Sequence, residues 1–357
     1  MTTVSASILA AFRYQRDGLT TSPLYHHLLG VAIDDAEVGG VCAEVLARTP
    51  EGVEPVLDAL PLRFLGGVHR LVLDGDAPDL ARFYPSVGGK FAIDDAALDP
   101  APTFLATVAE HRSQVIEALA RSVQTNEVGR CASLLPGFLA VAESTGLPLR
   151  ILELGTSAGL NLRWDHYRYE GGAGGSSFGD PDSVLQFTGV YIDPLPRLDV
   201  EAHVVERRGC DRNPIDATSV AGSQLLRSFV WPDQLDRLRA LDAALALAPS
   251  VPVLVDRADA AVWVADQLGR VTDGMATVLF QSIVWQYLTR DTRAAVRSAV
   301  REAGAAATAS APVAWLRMEP GAEPTKGADV RLSLWPPGLD RSIALTGYHG
   351  RPVSLRE

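Results

Sequence analysis

Arg150-Ile-Leu-Glu-Leu-Gly-Thr-Ser-Ala-Gly-Leu-Asn161 decides the fold. Leu149–Leu154 has the length of a buried strand, the chain turns through Thr156–Ala158, and a helix is expected from about Gly159. Glycine at 155 and 159 lets the backbone take positive φ and lets a ligand approach where a Cβ would collide. Amides exposed at a helix start favour a negative or polar ligand group. Glu153 stands on the otherwise apolar strand, where a carboxylate is costly unless something satisfies it. This turn is the first candidate for a binding loop.

Downstream of Gly146 the same rhythm recurs. Short apolar runs at Leu149–Leu154, His203–Val205, Val251–Val255, Ala276–Phe280, Pro312–Met318, Val330–Leu334 and Ser342–Leu345 alternate with helical stretches. That alternation is the pattern of a parallel sheet covered by helices on both faces. The last two runs are joined through Pro336, Pro337 and Gly338, which suits a hairpin-like end. Upstream, the chain reads as helices and loops. Ser5 is placed to cap a helix carrying Ile8, Leu9 and Phe12, and Pro23–Ala32 sets Leu24, Tyr25, Leu28 and Leu29 at helical spacing. A connection rich in Asp, Gly and Pro follows from Gly75 to Pro102. An apolar stripe then runs from His111 to Val123, and a helix over Val128–Ser144 carries Pro136 as a kink. The expected division is a mainly helical lid or substrate-side domain over 1–145 and an α/β domain over 146–357, with an insertion at about 163–200.

Composition narrows the function. The 357 residues exceed one small core, and 47% hydrophobic with 21% charged residues is globular composition. A net charge of −11 repels phosphate backbones, so no nucleic-acid partner is expected. Lysine occurs only at 90 and 326. Cys42, Cys131 and Cys210 include no CxxC pair, which argues against a disulfide framework and a zinc site. Asp165 and His166 are adjacent but no second ligand pair joins them, so no metal is expected. The first residues lack a basic and then apolar leader, and Asp242, Pro249 and Pro252 interrupt the most apolar stretch, Ala240–Val255. A cytoplasmic protein acting on a small molecule, away from membranes, is the expectation.

Three kinds of site use a loop of this form. A dinucleotide fingerprint needs G-x-G-x-x-G, but Ser157 and Leu160 stand where two glycines belong. The G-x-S-x-G match would make Ser157 the nucleophile of an α/β-hydrolase, with Asp256 or Asp259 and then His349 in that fold's chain order. The third reading covers more of the chain. Glu153-Leu-Gly-Thr-Ser-Ala-Gly159 resembles motif I of class I S-adenosylmethionine-dependent methyltransferases, with Ser157 replacing the middle glycine. Gly209-Cys-Asp-Arg-Asn-Pro214 looks like the end of that fold's second strand, Val255-Asp-Arg-Ala-Asp-Ala260 like its third-strand segment, and Thr277–Leu288 like its fourth strand and substrate-side loop.

This resemblance implies a Rossmann-like, mostly parallel sheet with an antiparallel last strand, binding S-adenosylmethionine. It assigns cofactor contacts to Glu153, Gly155, Thr156, Ser157, Gly159, Asn161 and Gln281, the ribose hydroxyls to Asp211 and the adenine amine to Asp259. The acid that follows a glycine loop usually comes about twenty residues on; here Asp211 lies about fifty residues beyond Gly159. The whole chain also resembles an uncharacterised bacterial domain of unknown function, through Ser22–Tyr25, Gln124–Glu127, Glu153–Asp165 and Gly209–Asp216. Tyr25, Asn126, Trp285 and Tyr287 are the substrate-side candidates. No residue identifies itself as a general base. A serine esterase and a non-catalytic cofactor binder stay open as alternatives.

Overall fold

The structure is a computed structural model that describes residues 4–18, 21–92, 99–270, 272–323 and 327–356. Its α-helices in chain order are α1 (Ala6–Gly18), α2 (Pro23–Glu37), α3 (Val41–Leu46), α4 (Leu60–Asp74), α5 (Pro78–Ala81), α6 (Ala101–Glu110), α7 (Arg112–Leu119), α8 (Arg130–Thr145), α9 (Val220–Ser228), α10 (Leu235–Leu247), α11 (Ala260–Leu268) and α12 (Arg290–Ala306). The strands are β1 (Leu149–Leu154), β2 (Arg168–Tyr169), β3 (Gln186–Phe187), β4 (Tyr191–Ile192), β5 (Val204–Asp211), β6 (Leu254–Arg257), β7 (Ala276–Ser282), β8 (Val313–Pro320), β9 (Ala328–Trp335), β10 (Leu339–Thr346) and β11 (Val353–Leu355). Contacts divide the chain into two compact units, Met1–Thr125 with Ser219–Arg239, and Asn126–Thr218 with Ala240–Glu357.

The first unit is helical. Ser22 caps α2 by accepting from Tyr25 N–H, with Pro23 in the first turn where a missing N–H costs nothing. The stripe Leu24, Tyr25, Leu28, Leu29, Ala32 and Ile33 then packs with Phe12, Phe64, Phe104, Val115 and Leu119 in one apolar core. The stripe expected to Val123 forms a shorter helix, ending at Leu119. The expected connection Gly75–Pro102 holds α5 and a 3₁₀ turn at Pro85–Val87, and its residues 93–98 lie outside the described ones.

The second unit is α/β. Among the described residues nine strands form one sheet in the order β4-β11-β10-β9-β8-β7-β1-β5-β6. The stretch β6-β5-β1-β7-β8 is parallel throughout, while β8/β9, β9/β10 and β10/β11 are antiparallel. The antiparallel part is therefore larger than a single last strand. Each of the seven apolar runs read from the sequence overlaps a strand of this sheet, although only Leu254 and Val255 of Val251–Val255 are in β6, and β4 and β11 extend the sheet at the far edge. Alternation along β1 sends Leu152 and Leu154 toward α11 and α12, where Trp263, Val264, Val296 and Val300 wait. On the other face α8 covers β7 and β8, with Phe138 meeting Phe280 edge to face at 5.1 Å.

Successive parallel strands lie to either side of β1: β5 and β6 on one flank, β7 and β8 on the other. The order reverses between β1 and β7, and in open α/β sheets ligands bind at the carboxyl ends beside such a reversal. The insertion between β1 and β5 carries a two-stranded parallel sheet, β2/β3. Trp164 stacks on Phe138 at 4.4 Å within the core rather than lining an opening. Among the described residues no helix is long and apolar enough to cross a membrane.

Candidate functional site

The loop after β1 takes positive φ at alternate residues, +71° at Gly155, +54° at Ser157 and +70° at Gly159. A serine thus holds a left-handed conformation that ordinarily costs an L-residue about 1–2 kcal/mol. At Gly155 a Cβ would overlap Val284, and at Gly159 it would stand 2.9 Å from a Val253 methyl. Both glycines are required by neighbours within the protein.

The expected α-helix after Gly159 is instead a 3₁₀ segment, Asn161–His166, broken at Arg163 (φ −103°, ψ 15°). The Arg163 guanidinium turns back and donates to the carbonyls of Gly159, Val251 and Ala248. The loop is followed by a segment too short and irregular to carry a helix dipole. Its amides are also engaged. Gly155 and Thr156 N–H donate to Cys210 O, Ser157 N–H to Asp211 Oδ2 at 2.9 Å, and Gly159 N–H to Thr156 O. Ala158 and Leu160 N–H both donate to Asn126 Oδ1, at 3.2 and 3.0 Å. The expectation that free amides receive an anion is corrected by this inventory: every N–H from 155 to 160 has a partner inside the chain.

The structure brings several candidates together here. Asp211 ends β5 beside the loop, and its second oxygen accepts Asn213 N–H at 2.8 Å. Glu153 is buried beneath it, bonded by Thr156 Oγ1 and the Asn161 amide, and burial pushes its carboxyl up to about 8 against those bonds. Cys131 donates to Asn161 Oδ1 at 3.3 Å. Ser157 Oγ is buried and has no hydrogen-bond partner among the described residues.

Other candidates stand apart. Asp259 is exposed and caps α11, accepting from Ala261 and Val262 N–H. Tyr25 belongs to the helical unit, where its buried hydroxyl lies in the field of Tyr84 and Asp233. Trp285 is half-buried with Arg297 5.0 Å from its ring centre, and Tyr287 is exposed. Of the acids raised for a hydrolase, Asp256 is tied to Arg208 at 2.6 and 3.0 Å and to the Trp263 indole.

On the β7/β8 side the expected cofactor contact Gln281 joins Glu319, which the sequence alone does not single out. Gln281 is buried, accepts the Trp315 indole N–H and donates to Glu319 Oε1 at 2.9 Å. The same Glu319 oxygen accepts Val284 and Trp285 N–H, both at 3.2 Å, while Oε2 is buried without a partner among the described residues. Burial raises this carboxyl above its ordinary range, opposed by those three donors and by Arg130. The Arg130 guanidinium bonds the carbonyls of Ser282 and Tyr348, and its field reaches Glu153 as well. Glu127, next to Asn126, pairs with His349 at 3.4 Å. Ile283, between Gln281 and Trp285, sits at φ +52°, an outlier for a β-branched residue. The sequence signal for Glu319 is an acid closing an apolar run, as at Glu153, but with no glycine loop after it to draw notice.

No curated protein and no solved structure matches the chain. A family profile matches residues 10–355, and the chain belongs to that family, DUF2332, described as "Uncharacterized protein conserved in bacteria".

Proposed function

We propose that this DUF2332 protein binds S-adenosylmethionine at the carboxyl ends of β1, β5 and β7 and passes its methyl group to a small molecule. One observation carries the reading: Asp211, about fifty residues past the loop, hydrogen-bonds Ser157 N–H at 2.9 Å. The acid ends the strand next to β1, as the ribose-binding acid does in the methyltransferases the chain resembles. The reversal of strand order between β1 and β7 and the left-handed backbone at 155, 157 and 159 support it further.

The residues suit this cofactor in part. Its ribose hydroxyls would be held by the Asp211 carboxylate, and the Asp259 carboxylate is exposed to an amine. The unpartnered Ser157 hydroxyl is a further contact. With the loop amides engaged, side chains and not the backbone must hold the ligand. The bound cofactor would supply an electrophilic methyl on cationic sulfur; the protein's part is to orient it and exclude water.

Ser157 as a nucleophile has one point in favour, its strained left-handed turn. The amide after it, which an oxyanion needs, is bonded to Asn126. Among the described residues no base is hydrogen-bonded to its hydroxyl. The esterase reading is therefore the weaker.

Titration calorimetry with S-adenosylhomocysteine tests the proposal. Asp211→Asn keeps an acceptor for Ser157 N–H and should weaken binding about ten- to a hundredfold, whereas Ser157→Ala should cost far less. At a hundred times its dissociation constant the ligand should stabilise the fold by about 2.7 kcal/mol. No binding at millimolar ligand sinks the cofactor claim, and labelling of Ser157 by a fluorophosphonate would favour the esterase.

A further inference from the structure

Glu319 closes β8 on the same side of the sheet as the loop, two strands from β1. Three donors hold one oxygen, and the other is buried and unpartnered. An ionised carboxylate oxygen accepts hydrogen bonds and donates none, so its natural complement is a cationic or N–H donor. Those three donors also fix the direction in which Oε2 points. Val284 and Trp285 belong to the segment that follows β7, so one carboxylate ties together the ends of β7 and β8. Trp285, whose backbone N–H is one of those donors, carries a half-buried indole with its ring centre 5.8 Å from that of Trp315, and indole faces favour cations and flat groups. Arg297, near the Trp285 ring, is the cation already there, and Arg130 is the other charge felt by Glu319.

We propose that Glu319 Oε2 is the substrate-side acceptor for a primary or secondary amine, with Trp285 against the amine's carbon skeleton. This rests on the methyl-transfer reading above for its chemistry, though not for the binding itself. An ammonium nitrogen has no free pair. Its N–H bond breaks with the pair kept on nitrogen, and the proton goes to Oε2. That pair forms the new N–C bond as the carbon leaves sulfur, whose bonding pair stays on sulfur. Oε2 is buried, so the side chains over it must give way before an amine reaches it.

The test is a ligand-observed NMR titration of the full chain with benzylamine and, as the uncharged counterpart, benzyl alcohol. Wild type should prefer benzylamine, and Glu319→Gln should weaken it about ten- to a hundredfold without changing benzyl alcohol. Equal benzylamine affinity for both proteins, or no binding to wild type, overturns the proposal. If Glu319→Gln does not melt like wild type, Trp285→Leu replaces it: benzylamine should then lose several-fold more than n-butylamine, and equal losses overturn the proposal. S-adenosylhomocysteine is titrated alongside. Failure of that ligand on wild type with benzylamine still discriminating removes the methyl-transfer reading and leaves the amine site standing.

Discussion

Replacing Asn126 by alanine should loosen the loop at two named amides. Asn126 is 8% exposed, and its Oδ1 is the acceptor for both Ala158 and Leu160 N–H. Truncation removes one oxygen and strands two donors in a buried place. Each orphaned group costs about 1–3 kcal/mol, so the sum is about 2–6 kcal/mol. Water filling the vacated volume would satisfy them partly and set the lower end. Since about 1.4 kcal/mol is tenfold, opening of the loop should become at least roughly thirtyfold easier. Amide hydrogen exchange reads this residue by residue. Protection at 158 and 160 should fall by that factor, while Val278 in the middle of β7 falls far less. Protection at both amides within about threefold of wild type would refute the idea that Asn126 holds the loop.

Backbone strain gives a second test: Ser157→Gly should leave stability unchanged or raise it by about 1 kcal/mol in urea unfolding, while Ser157→Val should lower it by more than that. His69 is fully buried beside Ser86 and Ser228, and burial lowers its pKa from 6.5 to about 4. Its neutral form is favoured by folding, so that stabilisation is complete above about 6.5 and at most about 3 kcal/mol is lost as pH falls to about 4. Urea midpoints at pH 7, 5.5 and 4.5 check it, and a His69→Gln protein with the same slope would refute it. Glu153 runs the other way: its folded pKa is raised to about 8, so its stabilisation is full below about 4.5 and lost as pH rises through about 8. A protonated carboxyl band in the infrared at neutral pH, absent from Glu153→Gln, is the expected result.

The sheet was legible because its central strands are apolar runs of a length that only a buried strand explains. β4 and β11 escaped notice because Tyr191–Ile192 and Val353–Leu355 are too short to show a period. The helix read after Gly159 was a false lead with a physical cause. A strand running into a glycine turn suggested a helix start, but the Arg163 side chain claims the Gly159 carbonyl and two carbonyls near residue 250, and the segment is a broken 3₁₀ turn. Asp211 was found through a likeness of motif, and its closeness to Ser157 through no local signal at all. Glu319 was missed because only pairing across β7 and β8 shows what surrounds it.

Asn126 has a consequence for anyone wishing to isolate the sheet unit. A fragment begun at residue 146, where the rhythm of the sequence changes, would contain the glycine loop without the side chain that pins it, and without Arg130 and α8. Starting at 126 keeps the latch, yet the chain then leaves the unit at Thr218 and returns at Ala240. A working excision would need a short bridge across that gap as well as the earlier start. Trimming by sequence pattern alone would deliver a sheet with its glycine loop undone.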